Sequence, residues 1–409
     1  MGLFRNRQYS GEGSLTRLAV RRLLKDKLAV ASVAIVLMAI LVAILGYLIT
    51  PDKTPFANEQ ILELSCRKPG YAVKMLYLNR PQEHAKAWWP ARMIWGEKNN
   101  YRAVPILSHH FENEHIVVKA ITGRDLTDGP EQKYSLTDVL YGIPKTDLLD
   151  LNKNQIINLH NSSGLLVSKK VKELQQEVVD HNLVIRHYWL GTDRFGRDVL
   201  SQLMIGTRVS LSVGFISVVI SLLIGLFLGS IAGFFGGRTD AFITWLINVV
   251  WSIPTLLLVI AITFALGKGF WQVFIAVGLT MWVEVARVVR GQILSIREKE
   301  YVEAGKALGF RNPRIIFHHI LPNTLAPIIV ISAANFASAI LIEAGLSFLG
   351  IGVQPPMPSW GTMIKDNYGY IILDSAYLAI LPGLAIMIMV LAFMLIGNGL
   401  RDALDVKAT

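Results

Sequence analysis

The chain has 409 residues, 52% of them hydrophobic and 17% charged, with a mean hydropathy of +0.44. These values exclude an ordinary soluble domain and point to a membrane protein. A net charge of +10 raises the question of nucleic acid, but Lys and Arg cluster beside apolar runs, where they set orientation, and no basic stretch is interleaved with aromatics as a stacking platform would be. No nucleic-acid partner is expected. Cys66 is the only cysteine, which excludes an intramolecular disulfide, a Cys-based zinc site and a CxxC redox pair.

Residues 1–27 form a basic, cytoplasmic N-terminus with Arg5, Arg7, Arg17, Arg21, Arg22, Lys25 and Lys27. The uncharged run 28–50 follows, long enough at ~1.5 Å per residue to cross a ~30 Å hydrocarbon core. With no small-residue cleavage site in the right place, it reads as an uncleaved first span. Residues 51–190 change character, with charged residues, Pro, Asn and His and no run long enough to span. They predict a small mixed α/β insertion domain outside the membrane, with a strand over 116–121 and a helix from a Ser163 cap to about residue 180. The alternative is a loosely structured loop against the spans.

A second span is predicted over 209–233. Gly225, Gly229 and Gly233, four residues apart, fall on one helical face where another backbone can approach closely, as a moving interface or as plain tight packing. The run 241–267 makes a third span, bent at Pro254. The fourth covers 269–289, with Glu284 and Arg287 in its last turns; an ionisable residue there is a functional candidate, while the spacing of three on one helix favours their pairing near the interface. The polar segment 290–322 interrupts the apolar series. A fifth span over 324–349 carries Glu343 well inside, and a Pro- and Gly-rich loop, 350–374, leads to a sixth over 375–400 and a basic tail, 401–409. Six spans put both termini, the 238–240 turn and the polar segment on one side. Basic residues dominate there, so that side is cytoplasmic, and 51–190, 191–208 and 350–374 face outward.

The polar segment reads as two short helices with a turn between them. Glu303, Lys306, Ala307 and Phe310 share one face, Gly309 and Asn312-Pro313 break the helix, and Ile315, Ile316 and Ile320 form a second apolar face. One face is expected on the cytoplasmic ends of the spans and the other is left for a partner. The alternative is an interfacial helix on lipid.

Glu303-Ala304-Gly305, three residues, Gly309, nine residues and His319-Ile320-Leu321-Pro322 resemble the E-A-A-x3-G-x9-I-x-L-P coupling loop of binding-protein-dependent ABC importer permeases. Gly305 replaces the second alanine and lowers helix propensity by up to ~1 kcal/mol; His319 replaces the first isoleucine, a common variation in the peptide and nickel branch. The likeness extends to Leu190-Gly191-Thr192-Asp193-Arg194-Phe195-Gly196-Arg197-Asp198-Val199-Leu200 and Gly206-Thr207-Arg208-Val209-Ser210-Leu211. It continues in Glu343-Ala344-Gly345-Leu346-Ser347-Phe348-Leu349-Gly350, in Pro355-Pro356-Met357-Pro358-Ser359-Trp360-Gly361, and in Leu400-Arg401-Asp402-Ala403-Leu404-Asp405. The insertion is the real departure, since typical members have a much shorter outward segment there.

The resemblance implies an all-α polytopic protein of the type I ABC importer permease class, the second or C-type permease of the dipeptide, oligopeptide and nickel branch, in the bacterial inner membrane. It implies ATPase coupling through Glu303, Ala304, Gly305, Lys306, Gly309, Ile320, Leu321 and Pro322, with Glu303 facing the ATPase or pairing with Arg297 or Arg311, and with Pro322 ending the second helix. Gly225, Gly229, Gly233, Pro254 and Glu343 are candidates for translocation or packing. Expected partners are a homologous permease, two cytoplasmic ATPases, an extracytoplasmic solute-binding protein and the lipid bilayer. No G-x4-G-K-[S/T] loop occurs, so ATP and Mg belong to the ATPase chain, and no catalysis, cofactor or metal is expected of this one. Two rivals make different demands. A membrane enzyme would need a metal site built from His109, His110 and His115, and a proton-coupled secondary transporter would need paired ionisable groups near the midplane.

Overall fold

The computed structural model describes residues 20–81, 88–122, 129–142, 149–152, 156–160, 166–267 and 269–404. Arg5, Arg7 and Arg17 of the N-terminal cluster, the Ser163 cap and the Asp405 of the last motif lie outside them.

In chain order, α1 (Lys27–Leu45) is followed by β1 (Tyr71–Asn79), α2 (Trp89–Trp95), β2 (Tyr101–Glu112), β3 (His115–Ala120), β4 (Glu131–Ser135) and α3 (Leu136–Tyr141). Next come β5 (Leu149–Asn152), β6 (Ile156–His160), β7 (Leu166–Lys170), α4 (Val171–Glu177) and β8 (Leu183–Tyr188). The rest is helical: α5 (Val199–Phe235), α6 (Gly237–Trp251), α7 (Thr255–Leu266), α8 (Phe270–Ile296), α9 (Glu300–Ala307), α10 (Asn312–Phe348), α11 (Trp360–Asn367) and α12 (Tyr377–Leu404).

The chain forms two compact units. The first takes residues up to 41, 210–354 and those from 383 on; the second takes 42–209 and 355–382. Within the second, five antiparallel strands run in the order β4-β3-β2-β1-β8, with Lys74 opposite Ile106 across β1–β2 and Tyr71 opposite Tyr188 across β1–β8. Alternation along β1 decides which side chain goes where. Leu76 and Leu78 join Val104, Ile106, Ile116 and Val118 under α3 and α4 through Leu136, Val139, Leu140, Val171 and Leu174. Val73 and Met75 point the other way, onto Ile61, Leu64, Ile121 and Tyr188. A smaller sheet orders β5-β6-β7. The expected strand over 116–121 lies in β3, and the insertion is a mixed α/β fold. The predicted helix to about residue 180 is shorter: β7 occupies its first part, and Lys170 caps α4 with Glu173 returning to the cap backbone.

The same unit shows what the motif at 190–200 does. Asp193 accepts from the amides of Phe195 and Arg197 at 2.9 Å and from Arg197 Nε at 2.7 Å. Gly196 at φ +74° permits the tight turn, because a Cβ there would collide with the Ile61 carbonyl. Asp198 accepts from the Ser201 amide at 2.9 Å at the start of α5. Burial raises the Asp198 carboxyl above the usual range. Residues 355–382 close onto this loop and its neighbours: the Tyr377 hydroxyl reaches the Thr192 carbonyl at 3.2 Å and the Arg67 carbonyl at 2.6 Å, and Trp360 Nε1 donates to the Leu203 carbonyl of α5 at 3.1 Å.

Among the described residues, five helices are long and apolar enough to cross a membrane, and α6 with α7 makes six if that pair is one broken span. The pair meets at 91°. Pro254 thus breaks the expected 241–267 helix outright: it caps α7 with extended backbone, and a residue before proline is pushed away from the helical region. Two helices also overrun their apolar sequence. α5 starts ten residues before 209, and α8 continues seven residues past 289, through Arg290.

Candidate coupling and translocation site

The polar segment folds as a hairpin within the first unit. α9 begins after Lys299 in extended conformation and carries Glu300 and Glu303 in its first turn and Lys306 in its last, each sign matching the helix dipole. Its end is a Schellman motif. Phe310 N–H donates to the Gly305 carbonyl at 3.1 Å, Gly309 N–H donates to the Lys306 carbonyl at 2.9 Å, and Gly309 takes φ +75°. A side chain at 309 would be strained by that φ alone. Pro313 stands in the first turn of α10, where its missing N–H is harmless. A π-helical turn, Ile315–Ile320, then leads into α-helix from Leu321.

Packing divides the hairpin sharply. Val302, Ile315 and Ile320 are buried with Val285, Val289 and Ile293 of α8 and with Ile328. Gly305 is buried too, and a Cβ there would lie 3.5 Å from Phe310 Cδ2, an ordinary contact. The ring of Phe310 stacks on His319 at 5.7 Å between centroids, with the Arg314 guanidinium 4.4 Å above it. The opposite surface exposes Leu308 (73%), Phe317 (63%), Tyr301 (47%), Glu303, Ala304 and Lys306. Leu308 and Phe317 escaped the sequence reading because neither lies in a motif position, although an apolar residue beside Gly309 was a visible signal. Two expectations fail here. Among the described residues Glu303 pairs with neither Arg297 nor Arg311; Arg297 instead donates to the Gly233 carbonyl at 3.1 Å. Pro322 does not end a helix either, since it occupies the first turn of the α-helical stretch that runs on to Phe348.

The glycine face meets α8 directly. A Cβ at Gly225 would sit 2.5 Å from Val285 Cβ, one at Gly229 2.6 Å from the Ala286 carbonyl oxygen, and one at Gly233 2.9 Å from the Arg290 carbonyl oxygen. Gly278 repeats this from the other side, 2.7 Å from Ile220 Cβ, and the Ser217 hydroxyl donates to the Phe274 carbonyl at 3.1 Å. Arg290 is bidentate on Asp240, with Nη2 2.6 Å from Oδ2, and ties α6 to α8. Glu343 is fully buried; Ser347 donates to its Oε1 at 2.7 Å and Ser210 reaches its Oε2 at 3.4 Å.

Glu284 and Arg287 do not pair. The Arg287 guanidinium lies 3.4 Å above the Trp251 indole. Because α8 extends to Ile296, Glu284 is the fifteenth of its 27 residues, at mid-helix and not in the last turns. It is exposed on an otherwise largely buried helix and lines a cavity of about 320 Å³ with Trp251, Thr255, Thr280 and Ser338, beside the 91° break. His109 and His110 are neighbours in β2, so their side chains leave opposite faces; His109 Nδ1 is 3.4 Å from Lys74 Nζ, and His110 meets Glu112 at 3.3 Å. Among the described residues no three His, Cys, Asp or Glu side chains come together as a metal site would require.

Residues 225–409 match the family described as binding-protein-dependent transport system inner membrane component, and 14–63 match the N-terminal TM domain of oligopeptide transport permease C. Over 220 residues the chain is 46% identical to a dipeptide transport system permease of Alkalihalophilus pseudofirmus, covering 54% of this chain and 72% of that one. It is 41% identical to an oligopeptide transport system permease of Bacillus subtilis over 54% and 72%. A glutathione transport system permease of Pectobacterium atrosepticum is 40% identical over 54% and 73%. The chain belongs to the binding-protein-dependent transporter permease family. Members of this family are transport subunits and not enzymes, and the sheet-bearing part of the insertion lies between the two matched segments.

Proposed function

We propose that this permease is the C-type transmembrane subunit of an ATP-driven peptide importer in the inner membrane, forming half of the pathway beside a homologous permease. Two cytoplasmic ATPases and an extracytoplasmic binding protein complete the complex. In this reading α6 and α7 form one broken span, which brings the count to six and both termini to the cytoplasm. The relatives' peptide substrates support the solute class. The observation that carries the coupling assignment is the division of the hairpin: one face welded to α8, the other presenting Leu308, Phe317 and Glu303 to a partner. Val302, Gly305 and Ile320 serve that coupling as its core, and Ala304, Lys306 and Leu321 frame it. Gly225, Gly229 and Gly233 act as a packing seam, and Glu343 as a buried polar lock.

The test replaces exposed residues only, so that the fold survives. Leu308→Glu with Phe317→Glu is expected to leave membrane insertion intact and to abolish ATP-driven uptake. Normal uptake by the double variant would sink the coupling assignment. Uptake that continues without ATP and follows a proton gradient would favour a secondary transporter instead.

A further inference from the structure

The cavity beside Glu284 has features that packing alone does not require. Its carboxylate is the sole ionisable group among the lining residues and stands near the middle of α8, five residues before the apolar run ends at Val289. A carboxylate within an apolar span is costly against lipid and persists where it faces water or a cation. Arg287, three residues on, lies over the Trp251 ring and makes no ion pair with Glu284, and among the described residues no other ion pair reaches Glu284. The wall is built at a discontinuous helix: Val250 and Trp251, at the carboxyl end of α6, and Thr255, the first residue of α7, line the cavity. Broken backbone at membrane depth is tolerated where it lines a polar cavity. Hydroxyls of Thr255, Thr280 and Ser338 complete the wall, and about 320 Å³ falls in the range of small-solute sites.

From these features we infer that the Glu284 cavity is a cation-selective subsite on the translocation route, taking the protonated amine of the transported solute. That the solute is a peptide rests on the reading above; that the site is wet and selects positive charge does not.

The two parts are therefore tested separately. In the complete reconstituted transporter carrying Cys66→Ser, Ser338→Cys places a thiol in the cavity wall. A cationic, water-borne methanethiosulfonate should modify it on the order of tenfold faster than its anionic counterpart, and Glu284→Gln should collapse that ratio. No modification by either reagent, or a ratio indifferent to Glu284→Gln, overturns the site. In the second arm, ATP-driven uptake of a free-amine dipeptide should fall about tenfold in Glu284→Gln and recover in Glu284→Asp, with the variants still assembling with their ATPase. Selective labelling with uptake unmoved by Glu284→Gln would overturn the assignment to the solute's amine. Absence of dipeptide uptake in the unaltered transporter, with selective labelling intact, would instead count against the peptide-importer reading alone.

Discussion

The two units solve the same problem by opposite means. The sheet-bearing unit is held as soluble domains are, by large side chains interdigitating on both faces of β1, β2 and β3. The helical unit closes its α5–α8 seam by removing side chains: Gly225, Gly229 and Gly233 let α5 lie against the backbone of α8. Where lipid is as apolar as leucine, burying leucine gains little, and close backbone approach with a few internal polar contacts takes over. The lesson is that one substitution has opposite consequences in the two places. Making a residue smaller injures the sheet-bearing unit; making it larger injures the helical one.

Substitutions sharpen the contrast. Leu174→Ala, under the sheet, should leave a cavity and lower the unfolding free energy by about 2–5 kcal/mol, measured by denaturant titration of the purified protein in detergent. Gly229→Ala gains helix propensity worth ~1 kcal/mol but places a methyl against the Ala286 carbonyl, for an overpacking cost of about 1–3 kcal/mol. A net loss is expected in the same titration, and a net gain would break the contrast. Gly305→Ala is the control within the helical unit. Its added methyl meets only ordinary contact with Phe310, so it should stabilise α9 by up to ~1 kcal/mol, read as slower amide exchange in that helix. The smallest effect is electrostatic. Burial first, then Lys74 and His110, hold the His109 imidazole below its usual range. The native state binds that proton less readily than the unfolded chain, whose imidazole titrates near ~6.5. This contribution to stability is intact above that pH and is lost as pH falls through the lower native value. His109→Gln should flatten the melting temperature across that window.

The hairpin, most of the spans and the glycine seam were legible because apolar runs and ordered motifs mark them. The depth of Glu284 was not. Charge at Arg290 ends the apolar run but not the helix, since Asp240 holds that guanidinium within the fold. The Glu284–Arg287 spacing likewise carried no word of Trp251, which lies before the break and 36 positions from Arg287 in sequence. In the insertion β3, rich in Ile and Val, announced itself, as did the second half of the helix expected to about residue 180. β1 and β8 carry Lys, Asn, Arg and His on edges and turns of the pattern, and their pairing is fixed by partners more than a hundred residues apart.

One more consequence follows from the continuity of α10. A single rod of 37 residues, about 55 Å at ~1.5 Å per residue, bears exposed Phe317 near one end, with Ser338 and Leu341 of the cavity wall some thirty ångströms along it. Such a rod converts a small tilt at the hairpin into a larger sweep of its far half. The π turn at Ile315–Ile320 and Pro327 both fall between the hairpin and that far half, so the size of the sweep is set by how stiff those two points are.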